Sequence, residues 1–144
     1  MELIEYIKNN PLYSILAVFL SLGIGYLLKV SLSQRQNIKV AGRNIITAFQ
    51  PELDLLIQRD DDCMNIMDDT AFRKHEAAIR NNINDLSIFQ RKPLKKAWEE
   101  LAYHNENKVI PFYAMYIDGG SLDKRRKLKS LAIRRIQRII SIVR

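Results

Sequence analysis

Between Asn9 and Leu28 the chain carries no charged side chain, and from Leu12 to Leu28 almost every position is apolar. A helix rises about 1.5 Å per residue, so about 20 such residues cover the roughly 30 Å of hydrocarbon in a bilayer. A helix also satisfies its own backbone hydrogen bonds, which lipid cannot do. The pattern predicts a transmembrane helix over residues 11–30, with Pro11 in the first turn, where its missing N–H costs little. Tyr13 and Tyr26 fall near the two headgroup levels, which suit amphipathic rings. Two other readings compete. A cleaved signal peptide wants a basic start and a shorter apolar run, but Glu2 and Glu5 outnumber Lys8, and Lys29 and Val30 follow the run directly. A core helix would be apolar on every side with too little protein to cover it.

Beyond the span the pattern changes. Residues 31–44 are polar and basic and read as a juxtamembrane connector. Residues 45–120 read as a small, mostly helical domain. Ile45, Ile46, Phe49, Leu53, Leu56 and Ile57 fit a helical period, but Pro51 disfavours an α conformation at Gln50. The expectation is an extended piece over about 43–49 and a short helix from Pro51. Residues 59–70 read as an acidic loop, with Asp69 or Thr70 capping a helix over 71–86 that shows Phe72, Ile79, Ile83 and Leu86 on one face and His75 at its edge. Leu94, Ala97, Trp98, Leu101 and Ala102 give an amphipathic helix over 93–103, with Trp98 as the expected central anchor. Residues 110–117 are apolar on both alternating faces and read as a second extended segment, ended by Asp118-Gly119-Gly120. Ser121 caps a final helix whose stripe runs through Leu128, Leu131, Ala132, Ile136, Ile139, Ile140 and Val143. The fold class is mainly α, with those two short segments as possible β structure.

Charge sharpens this layout. The net charge is +7, yet segment 121–144 alone holds nine cations against Asp123, a net of +8, so everything before it sums to about −1. The cations are Lys124, Arg125, Arg126, Lys127, Lys129, Arg134, Arg135, Arg138 and Arg144. All but the last are candidate contacts to anionic lipid, each worth about 1 kcal/mol near such a surface. The same helix can instead pack its stripe on the domain core with the cations outward. Phosphate contacts to nucleic acid are a third reading, but the segment has no aromatic side chain for stacking and follows no nucleic-acid-binding motif, which weighs against it. Around the span, Lys8 faces Lys29, Arg35, Lys39 and Arg43, so the positive-inside rule puts residues 1–10 outside and everything after the span in the cytoplasm. Ala17, Ser21 and Gly25 recur every four residues, a small-residue stripe that suits helix association in lipid.

Candidate chemistry adds little. Cys63 is the only cysteine, so no internal disulfide forms, and it reads as a small apolar filler. Asp60, Asp61 and Asp62 lack calcium-loop spacing. His75-Glu76 opens a zinc-protease-like motif, but Ile79 stands where the second ligand belongs. No catalytic, cofactor or metal site is expected, and His75, Glu76 and His104 are the only loose candidates for an enzyme reading.

Ala48-Phe49-Gln50-Pro51-Glu52-Leu53, Lys74-His75-Glu76-Ala77-Ala78, Lys96-Ala97-Trp98-Glu99 and Leu131-Ala132-Ile133-Arg134-Arg135-Ile136 together resemble a group of small uncharacterised bacterial proteins, some with an N-terminal membrane span. The resemblance covers roughly residues 43–143. It implies a bacterial inner-membrane setting and no particular activity. The functional expectation is a single-pass inner-membrane protein whose helical domain binds another protein or itself. A membrane-associated enzyme or enzyme subunit and a basic, membrane-surface-active or phage-type factor are the alternatives.

Overall fold

The computed structural model describes residues 11–58, 63–103 and 121–144, without the side chains of 11–14 and Met64. Residues 1–10, the aspartates 60–62, His104, the segment 110–117 and the break at 118–120 lie outside the described residues. The chain divides into two compact units, residues 1–36 and 37–144. Helix α1, Pro11–Gln58, contributes to both. Then come the short α2, Cys63–Ile66, and α3, Asp69–Asn82, followed by a 3-10 turn over Ile83–Asp85. Helices α4, Ile88–Ala102, and α5, Leu122–Val143, complete the order. The described residues contain no strand.

In the first unit the described structure is α1 alone, and from Ile15 onward its side chains are exposed except the half-buried Val30. In the second unit α1, α3, α4 and α5 pack around one core. Antiparallel pairing of α1 and α3 follows from two contacts: Asn44 Nδ2 donates to Asn82 Oδ1 at 3.0 Å, and Glu52 pairs with Lys74 and His75. Helices α4 and α5 are also antiparallel, since Gln90 Nε2 donates to the Ile142 carbonyl at 3.0 Å and Arg138 pairs with Glu100. Gly42 of α1 meets the end of α5 so closely that a Cβ there would lie 2.5 Å from the Val143 carbonyl oxygen. Gly42, Asn82, Gln90 and Ile142 therefore mark the end where the chain enters this unit. The ends of α1 and α4 and the start of α5 mark the other.

Four expectations are corrected. The segment 43–49 is helical, not extended, because α1 runs unbroken through the connector and through Pro51. A helix-interior proline costs about 3 kcal/mol. Fully burying Ile45, Phe49 and Leu56 on one face outweighs it, at roughly 1.5–3 kcal/mol each. Pro51 itself is exposed, so its ring displaces no core atom. Second, Asp68 caps α3, accepting from the Ala71 N–H at 2.7 Å, in place of Asp69 or Thr70. Third, His75 lies at the centre of the buried face of α3, between Ala71 and Ile79, not at its edge. Trp98 is buried in the core, edge-on to the fully buried Phe49 at 6.2 Å and stacked on Phe72 at 5.6 Å. Fourth, helix α4 starts at Ile88, earlier than the expected 93–103. There Gln90 Oε1 accepts from the Ser87 hydroxyl at 2.8 Å and from the Ser87 N–H at 3.3 Å. Cys63 is buried against the core, as a small apolar residue would be.

Candidate functional site

The largest anomaly is the surface of α1 in the first unit. Ten large apolar side chains from Ile15 to Leu28 are each at least 55% exposed. Left in water, they forgo on the order of 20 kcal/mol of burial energy. That exceeds the whole stability of a typical small domain, about 5–15 kcal/mol. This one helix is long and apolar enough to cross a membrane, with a mean hydropathy of 2.1 over its most apolar stretch and none of that stretch buried. Within that stretch Ser21 Oγ donates to the Val18 carbonyl at 2.8 Å. Ala17, Ser21 and Gly25 are all exposed, and a Cβ on Gly25 would meet nothing within 4 Å.

The second feature is buried. Glu52, on the inner face of α1, holds Lys74 through Oε1 and His75 Nε2 through Oε2, the latter at 3.2 Å. The Phe49 ring covers His75 in a parallel stack, centroids 4.0 Å apart and planes 10° off. His75 is fully buried, and its Nδ1 has no hydrogen-bond partner. Burial alone would raise the Glu52 pKa. The hydrogen bonds from His75 and Lys74 and the His75 charge outweigh burial and hold it below 4.5. A carboxylate, an ammonium and an imidazole thus cross-link α1 to α3 at a point closed to solvent on the imidazole side. Helical order turns Glu76 away from this cluster, because neighbours on a helix point about 100° apart. The sequence reading missed Glu52. The signal was available: it stands three residues after Phe49 on the same apolar stripe, where an acid needs a partner.

The third feature is α5. Its stripe is spent on the core, with Ala132, Ile136, Ile139, Ile140 and Val143 buried. The core-packing reading of this helix is therefore the observed arrangement. Of the candidate lipid contacts, Lys124, Arg125, Arg126 and Lys127 are exposed and Lys129 half-buried. All five lie in the first turns of α5, at the end of the unit opposite the entry of α1. Arg126, Lys127 and Arg134 come together with Ser130 and Leu131 around an open groove of about 380 Å³. Arg135 is half-buried, and Arg138 is engaged by Glu100. No group of three or more potential metal-ligating side chains occurs among the described residues. Comparison with protein-family models, with curated proteins and with solved structures finds no match to this chain.

Proposed function

We propose that this protein is a membrane-tethered interaction module of the bacterial inner membrane. The apolar stretch of α1 spans the bilayer once, and the four-helix unit works in the cytoplasm by holding another protein or a second copy. The observation that carries this reading is the contrast between the two units. The second unit closes a core of its own from Ala41 to Val143, whereas the first exposes ten large apolar side chains that no part of the second is needed to cover. Lipid is the solvent that removes that penalty. The cations of Lys29, Arg35, Lys39 and Arg43 favour the cytoplasmic side for the second unit. The buried Glu52–His75 pair fits a structural clamp better than a reaction centre, because substrate has no path to a fully buried imidazole.

The test is alkaline carbonate extraction of membranes carrying the full chain, together with a C-terminal reporter that is active on only one side. Retention in the pellet at full mass, with the reporter on the cytoplasmic side, supports the reading. Release into the supernatant, or a shortened pellet form, sinks it. Cross-linking in the intact membrane then separates a second copy from a different partner by the mass of the adduct.

A further inference from the structure

The core of the second unit leaves two large apolar side chains stranded at the start of α4: Ile88 is 78% exposed and Phe89 90% exposed. An exposed aromatic beside an exposed aliphatic residue forgoes several kcal/mol of burial, so something other than water is the expected neighbour. What stands beside them identifies that neighbour. On the turns that follow, Arg91, Lys92, Lys95 and Lys96 are all exposed, and α4 has no acidic side chain before Glu99. Helical spacing puts Lys92 three and four residues from the pair, on the same face, with Lys95 and Lys96 one turn further on. Arg91 is committed, since its guanidinium donates to the carbonyls of Leu86 and Asn84. No ion pair engages Lys92, Lys95 or Lys96 among the described contacts. Asp85 stands three residues before Ile88, and Glu99 and Glu100 stand on the turn after Lys95 and Lys96.

The location is as informative as the chemistry. Gln90 bonds Ile142 and Val143 abuts Gly42, so the start of α4 lies at the end of the unit where α1 enters. Exposed Lys39 and Arg43 of α1 belong to this end too. Only residues 29–41 join it to Leu28. The patch is therefore near the span in chain length, as the groove at the other end of the unit is not. The groove of Arg126, Lys127 and Arg134 has comparable charge, but it lies at the opposite end and has no exposed aromatic in its lining.

We infer that Ile88 and Phe89, with Lys92, Lys95 and Lys96, form a second membrane contact, in which the apolar pair inserts at the headgroup level of an anionic leaflet and the lysines meet lipid phosphates. This rests on the spanning reading above and extends it: the folded unit docks on the membrane instead of merely hanging from it. Interfacial burial of Phe89 and attraction of the lysines act together, as in amphipathic surface helices.

The experiment uses the full chain carrying Phe89→Trp, with Trp98 as the buried background, in vesicles of phosphatidylcholine with or without phosphatidylglycerol. The expected result is a blue-shifted second indole signal, quenched by lipids brominated near the headgroup, in the anionic vesicles and not in neutral ones or at high salt. Lys92→Glu, Lys95→Glu and Lys96→Glu are each expected to weaken docking at least about fivefold, and Ile88→Ser about tenfold. An indole at position 89 that keeps a water-like spectrum in anionic vesicles overturns the proposal, and so does a shift that follows protein density instead of lipid charge, which assigns the patch to a second copy. Carbonate resistance is measured on the same samples and reports the span alone. A chain that extracts yet still shifts on anionic vesicles loses the span and keeps the patch; one that resists extraction without shifting does the reverse.

Discussion

Removing the Glu52 carboxylate tests the buried clamp most directly. In Glu52→Gln the Lys74 ammonium keeps access to water, because its side chain is 42% exposed, and so costs little when released. His75 has no such escape: it is fully buried and already carries one unpartnered ring nitrogen. A weakened or lost bond at Nε2 therefore leaves a buried polar group short of partners, at about 1–3 kcal/mol. The companion His75→Phe removes both ring nitrogens while keeping a ring to stack on Phe49, and Glu52 retains Lys74. The double change Glu52→Leu with His75→Phe replaces the pair by apolar groups and is expected to cost less than the two single changes together. Urea unfolding of the full chain in detergent, followed by Trp98 emission, gives the four corners of the cycle. The acid limb adds a second readout. Since the folded Glu52 pKa lies below its unfolded value, its contribution is complete above about pH 4.5 and is lost as pH falls through the folded value. The wild-type chain should lose stability in that acid window and Glu52→Gln should lose less. Additive single changes, or identical acid limbs for the two proteins, would refute the clamp.

Three further outcomes are expected. Gly42→Ala forces a methyl onto the Val143 carbonyl and should cost about 1–3 kcal/mol in the same unfolding assay, but much less when introduced into a chain already lacking residues 143–144. Pro51→Ala restores an intrahelical donor at an exposed site and should raise stability by up to about 3 kcal/mol, visible as a higher urea midpoint at unchanged slope. Leu22→Arg places a charge in the middle of the exposed apolar stretch and should lower membrane integration by about 2.5–3.5 kcal/mol, read as the fraction resisting carbonate.

What could be read from residue order alone depended on how local the cause is. The apolar stretch was legible because hydropathy is a property of each residue in the run, and no partner had to be found for it. The stripe of α5 was legible for a similar reason: Ala132, Ile136, Ile139 and Val143 repeat at helical spacing and bury as the spacing implies. The path through Pro51 was not, because the local rule and the distant one disagree. Locally, proline ends a helix. Across the bundle, Phe49 must reach His75 and Trp98 while Leu53 and Leu56 reach the same core, and only a continuous helix offers all three. The Glu52 site failed for the same reason. Its partners are 22 and 23 residues away, and only the antiparallel register of α1 and α3 brings them together.

That register also explains why an ionic cluster sits where it does. Along α1 the inward stripe is Ala41, Ile45, Phe49, Leu53 and Leu56, and Glu52 intrudes among wholly apolar neighbours. An apolar residue there would pack against α3 in several registers with little penalty, because apolar contacts are non-directional. A carboxylate that must meet His75 and Lys74 together tolerates one. A one-turn slip would strand Glu52 and His75 in the core unpaired, at several kcal/mol. On this argument the cluster contributes less to total stability than to the choice among packings. For a small unit whose α1 leaves its most apolar stretch outside the core, that choice cannot be left to hydrophobic area alone. The double variant Glu52→Leu with His75→Phe should then keep most of its stability yet show broadened amide resonances along α3, the sign of exchange between registers. Sharp, single resonances at wild-type dispersion would show that the apolar contacts alone select the register.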